Sequence, residues 1–212
     1  MKRFDIITEA DARALEVGAT VALAFGGHIT PLARDTLRAR RVSVVRDDEV
    51  APAEAGLVAA APVRTVAIGS DHRGLALKRD LAARLRRTAL AVHDLGTHDA
   101  TAVDYPDIAA LVARAVASGE ADAGIVIDAT GTGSAVAANK IDGVRAAMCA
   151  EESVARYARE HVGANVLCLG ASLLTAERAG AIVDAWLGAG PPEPRHVRRL
   201  AKIRALERNR RP

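Results

Sequence analysis

The chain has 212 residues, half of them apolar, with aromatics at 2% and a formal net charge of +3. That length holds one large domain, or a domain with an appendage, and the apolar content builds a core without metal or disulfide support. So few aromatics exclude a stacking platform for single-stranded nucleic acid. No apolar run reaches transmembrane length, and the start Met-Lys-Arg-Phe-Asp lacks a signal-peptide core, so a cytoplasmic protein with no membrane partner is expected.

Residues 1–46 read as a small appendage with an αβαβ order. Thr8 suits the cap of a short helix over 8–15, residues 19–25 make a strand, and Gly26-Gly27 breaks it. Thr30 followed by Pro31 starts a second helix that runs to about residue 41, and 42–46 form the next strand. Residues 47–63 carry Ala, Glu and Pro without periodicity and read as a linker.

Strand and helix patterns then alternate in βα units over 64–212. Strands are expected at 66–69, 89–95, 123–127, 144–149 and 165–169, and helices at 75–87, 107–118, 151–161 and 175–187. This is a Rossmann-like three-layer sandwich with a five-stranded parallel sheet. Cys149 and Cys168 fall inside two of the apolar strands and read as buried thiols, and metal-type Cys spacing is absent. The third strand ends at Asp128 and enters the loop Ala129-Thr130-Gly131-Thr132-Gly133-Ser134 before an Ala-rich helix. Such a join aims backbone N–H groups and the positive end of a helix at one spot, where an anion or an oxyanion is held. A tight packing turn uses the same glycines, so the loop alone leaves both open. The basic tail after residue 193 lacks aromatics and any nucleic-acid motif. Arg195 and Arg199 lie four apart on one helical face and suit a phosphate clamp.

Several motifs agree in order: Ile68-Gly-Ser-Asp71-His72-Arg-Gly74, Asp94-Leu-Gly96-Thr97, Val103-Asp-Tyr105-Pro106-Asp107, the Asp128 loop through Asn139-Lys140, Gly143-Val-Arg145, Arg159-Glu160-His161, and Arg195-His196-Val-Arg198-Arg199. Together they resemble ribose-5-phosphate isomerase B and the galactose-6-phosphate isomerase subunits over about 64–203. The resemblance implies interconversion of aldose and ketose phosphates through an enediolate, with no metal or organic cofactor. It also implies a homodimer or homotetramer with active sites between subunits. By the same resemblance Asp71, His72 and Tyr105 bind the sugar, and the N–H groups of Ala129 through Gly133 hold the oxyanion, with Ser134 in the same loop. Thr130 joins the catalytic set, His161 opens the sugar ring, and Arg195, Arg199 and His196 bind phosphate.

The pattern breaks where the chemistry is done. Asp128 stands in place of the cysteine base, Ser134 in place of an alternative Glu, Val162 replaces an Asn, and Ser172 a phosphate-binding Arg. The Asp128 loop is closest to the A subunit of galactose-6-phosphate isomerase, which works beside a cysteine-bearing subunit. Asp128 is then either the base, its pKa raised by burial, or a structural acceptor of loop N–H bonds. The second case makes the chain a sugar-phosphate-binding partner of a cysteine-bearing paralogue, or a sensor. A nicotinamide-dependent dehydrogenase fits poorly, because the first strand ends in Gly-Ser-Asp-His-Arg-Gly and not in G-x-G-x-x-G. Residues 29–35 also resemble a segment near the start of ethanolamine-utilisation proteins of bacterial microcompartments, which implies an assembly role.

Overall fold

A computed structural model describes residues 1–46, 57, 62–192 and 194–208, excepting the side chains of 25, 26, 46, 194, 195 and 208. The chain divides into two compact units, Met1–Ala55 and Gly56–Pro212. Of the expected linker, only residues 57, 62 and 63 fall among the described residues. No helix among the described residues is long and apolar enough to cross a membrane.

The first unit is a parallel sheet of three strands, β1 (Arg3–Ile7), β2 (Thr20–Ile29) and β3 (Ser43–Arg46), in the order β1-β2-β3. Helices α1 (Glu9–Ala14) and α2 (Pro31–Ala39) connect them. Thr8 and Asp11 form a reciprocal capping box at the start of α1, and the Thr30 hydroxyl accepts from the Ala33 N–H at 3.4 Å ahead of Pro31. Ile7, Leu23, Ala33 and Leu37 meet in its core. Two expectations change here. The unit opens with a strand, β1, that the αβαβ order omitted, because five residues beginning at Arg3 alternate too weakly to stand out. Gly26 and Gly27 do not end β2 either. The pairing with β1 slips between Phe4 and Ile6, so the glycines sit in an irregularity of a continuous strand.

The second unit contains β4 (Thr65–Ser70), β5 (Ala91–Asp94), β6 (Ala123–Asp128), β7 (Ala146–Met148) and β8 (Val166–Gly170), all parallel, in the order β5-β4-β6-β8-β7. Between and after them run α3 (Leu75–Arg86), α4 (Tyr105–Ala117), α5 (Thr132–Ala138), α6 (Glu152–Val162), α7 (Ala176–Leu187) and α8 (Pro194–Arg208). All six residues of β6 are buried, as a strand covered on both faces requires. Alternation divides them. Ile125 and Ile127 join Leu81, Ile182 and Trp186 on one face, while Val126 joins Val112, Ala113 and Ala138 on the other. The sheet is therefore doubly wound, as expected. β7 is shorter than the expected 144–149 because only three residues pair along the edge of β8.

Topology fixes where a ligand can enter. The chain passes from β4 to β5 on one side, then crosses back to β6 on the other. The connections after β4 and β6 leave in opposite directions, and a crevice opens between their carboxyl ends. Asp71 follows β4 at that crevice, and Asp128 ends β6 there.

Candidate active site

The Asp128 loop is organised around its own carboxylate. Asp128 is 4% exposed. Its Oδ1 accepts from the Thr130 N–H at 2.7 Å and from the Gly131 N–H, and its Oδ2 accepts from the Ser134 N–H at 2.9 Å and the Ser134 hydroxyl at 2.5 Å. Those four bonds use the acceptor positions a carboxylate has. Burial pushes the Asp128 carboxyl up, but the bonds from Ser134, Gly131 and Thr130 outweigh it and hold the group below the usual carboxylate range. The expectation of a raised Asp128 pKa is thus overturned, because the loop supplies more hydrogen bonds to the anion than burial removes hydration. Gly131 adopts φ +78° at the helix start, and a Cβ there would lie 3.0 Å from the Leu169 carbonyl carbon. The Ala129 carbonyl accepts from the Ser172 N–H at 2.9 Å, which ties the loop to the end of β8.

The other crevice residues gather around this loop. Asp71 Oδ1 accepts from the Arg73 and Gly74 N–H groups, both at 2.9 Å, and so shapes the turn into α3. His72 is half-buried, and its Nδ1 accepts from the Val103 N–H at 3.4 Å. Tyr105 opens α4 and is 41% exposed. A Cβ on Gly133 would stand 2.6 Å from its ring, so the glycine lets the Tyr105 ring lie on the loop. The Thr130 and Thr132 hydroxyls, both exposed, share a hydrogen bond of 2.7 Å. The structure therefore brings Asp71, His72, Tyr105 and residues 128–134 to one end of the sheet.

The remaining predicted residues lie at the opposite end. His161 closes α6 five residues before β8 begins, and a helix that returns along a parallel sheet ends at the amino ends of the strands. Five residues of β8, roughly 16 Å of strand, separate that end from the level of Asp128. There His161 stacks on Tyr157 with ring centroids 4.9 Å apart and on His196 at 4.5 Å, and Arg199 Nη1 lies 3.3 Å from His196 Nδ1. His196 is buried and Arg199 exposed. Arg195 belongs to α8, but its side chain lies outside the described residues. Val162 is 42% exposed beside this group. One chain thus holds two clusters of candidate site residues that do not touch.

A cavity of about 1060 Å³ sits at the amino end of the sheet among Arg145, Arg159, Asn165 and Leu200 and includes none of the Asp128 crevice. Volume alone is a poor guide here. Arg145 Nε already donates to the Val162 and Gly163 carbonyls at 3.1 and 2.9 Å, and Arg159 Nη1 to the Ala164 carbonyl at 2.9 Å. The crevice carries the convergent polar groups.

Residues 66–203 match the family described as Ribose/Galactose Isomerase. The chain belongs to that family. Ribose-5-phosphate isomerase B of Escherichia coli is 43% identical over 148 residues, which cover 70% of this chain and 99% of the relative. A structure of ribose-5-phosphate isomerase B from Clostridium thermocellum superposes with a TM-score of 0.67 at 47% identity, over 68% of this chain and 98% of that one. The enzyme from Mycoplasma genitalium with bound ribulose-5-phosphate gives 0.66 at 41% identity, over 70% and 99%. Within the ribose/galactose isomerase frame, residues 1–65 are an addition before the matched part. Among the described residues no group of three His, Cys, Asp or Glu side chains could hold a metal ion. Two buried polar residues beside the crevice were given no role from the sequence. Thr97 donates its N–H to the Ser70 carbonyl at 2.9 Å, and Lys78 is buried against Asp94. A lysine on the apolar face of an amphipathic helix was the available signal for the second.

Proposed function

We propose that the protein is an aldose–ketose isomerase acting on a phosphorylated sugar, with each active site assembled from two copies of the chain. The observation that carries this reading is the division of the candidate residues. Asp71, His72, Tyr105 and the glycine loop stand at one end of the sheet, and His161, His196 and Arg199 at the other. Neither cluster suffices. Sugar binding and proton transfer belong to the first, and ring opening and phosphate binding to the second, so a symmetric dimer supplies both twice over. Family membership supports the same activity, since the relatives named above are sugar-phosphate isomerases.

In the forward direction His161 of one copy relays the proton of the C1 hydroxyl to the ring oxygen, so that the bond from C1 to the ring oxygen breaks and the C1 carbonyl of the aldehyde forms. A base in the crevice of the other copy then removes the C2 proton, an enediolate forms, and the proton returns at C1. Arg199, with Arg195 and His196, fixes the phosphate away from the reacting carbons, which confines the chain of carbons to one orientation. Asp128 occupies the cysteine's place and is ionised at neutral pH, the state a base requires. To take the proton it must exchange one hydrogen bond, that from the Ser134 hydroxyl, for the substrate's C–H.

A second reading is favoured by those same four bonds. In it Asp128 only shapes the loop, and the chain binds sugar phosphate as a subunit beside a cysteine-bearing partner. Incubation of the purified chain with ribose 5-phosphate and galactose 6-phosphate decides. The first reading expects ketose to appear, and Asp128→Asn to abolish it. Ligand-induced stabilisation without turnover supports the second.

A further inference from the structure

Lys78 stands on the apolar face of α3 with Leu77, Leu81, Ala82 and Leu85, and is 1% exposed. A lysine in such a place keeps its charge only against a partner. Its Nζ meets Asp94 Oδ1 at the end of β5, and the same oxygen accepts from the Gly96 N–H at 3.2 Å.

The segment that leaves Asp94 is strapped down along its length. Leu95 donates to the Ile68 carbonyl at 2.9 Å, the Gly96 carbonyl accepts from Ser70 at 2.8 Å, and Thr97 donates to the Ser70 carbonyl at 2.9 Å. Arg79 donates to the His98 carbonyl at 2.8 Å, and Val103 to His72 Nδ1. The strap ends at Tyr105, whose ring lies on Gly133. The strap therefore leads from the Lys78–Asp94 pair past Val103, where it holds His72, to Tyr105 and the Asp128 loop. A buried ion pair is a weak source of stability compared with apolar side chains of the same volume, whereas one charge facing one charge defines register.

We propose that Lys78 is a positioning residue, which through Asp94 fixes the 94–105 strap and so places His72 and Tyr105 against the glycine loop. The kinetic part of this inference rests on the isomerase reading, and the structural part does not.

The test compares the full chain with K78M and with K78M/D94L, which removes the stranded carboxylate and fills the volume. Hydrogen exchange of the amides of residues 95–103 should become about tenfold faster in both variants, while those of β6 and β8 keep parent rates. With ribose 5-phosphate or galactose 6-phosphate as substrate, kcat/KM should fall about 100-fold in both, as misplacement of site groups predicts. The double variant should regain the parent's melting temperature without regaining strap protection or turnover, which a merely structural role would restore. Strap exchange within about twofold of the parent in the double variant would overturn the proposal. Should K78M fail to fold, the double variant carries the test. Should the parent turn over neither sugar phosphate, the isomerase reading fails, and the exchange rates still decide the role of Lys78.

Discussion

At Asp128 burial and hydrogen bonding act on one carboxyl in opposite directions, and the hydrogen bonds win. A carboxyl whose folded pKa lies below its unfolded value of about 3.9 stabilises the fold above that pH, and the contribution is lost as pH falls through the folded value. Asp128→Asn puts an NH2 against N–H donors, and a loss of about 1–3 kcal/mol at neutral pH follows from the stranded buried groups. Urea unfolding over a pH series checks this. The gap between parent and variant should be full at neutral pH and narrow in acid, below the ordinary carboxylate range. A flat gap would mean that the charge is not what the loop holds. The two cysteines make the opposite case. Burial pushes the Cys149 thiol up to about 11 and raises Cys168 further, first by burial and then by the nearby Asp128 charge. Neither should react with a thiol reagent at pH 8 in the native chain, and both should react once it is unfolded.

Between elements, glycines set how closely the site's parts approach. A Cβ at Gly74 would fall 2.7 Å from the Ile127 carbonyl oxygen, a backbone atom that cannot step aside. Gly74→Ala should cost about 1–3 kcal/mol in thermal or denaturant unfolding. Gly190→Ala, where a Cβ meets nothing within 4 Å, serves as the control with little change. The strands and helices of the second unit were legible because continuous apolar runs and 3.6-residue periodicity do not depend on distant partners. β1 and the course of β2 through Gly26-Gly27 were not, since both rest on pairing with another strand. At the site, the strand–loop–helix join at Asp128 could be seen in sequence. That its carboxylate turns back onto Thr130, Gly131 and Ser134 was one of two courses the sequence left open, because a side chain's choice between a ligand and its own loop is made in three dimensions. Lys78 lay between the two cases, its helical face readable and its partner Asp94 not.

For the whole molecule, the separation of the two clusters makes a prediction that no single-chain site would. His72→Ala disables one half of a site and His161→Ala the other, so each variant alone should be nearly inactive. Mixed and allowed to exchange subunits, they should recover about a quarter of parental activity, because half of the dimers carry one site with both halves intact. Mixing without recovery would place both clusters in one chain's site. Beneath that stands the claim that the chain interconverts aldose and ketose phosphates at all. Proton NMR in D2O, with ribose 5-phosphate and galactose 6-phosphate as substrates, reads it most directly. Ketose should accumulate with solvent deuterium at C1 from at least one of them, while both sugar phosphates bound by the chain yet left unconverted, with no deuterium gained, would contradict it.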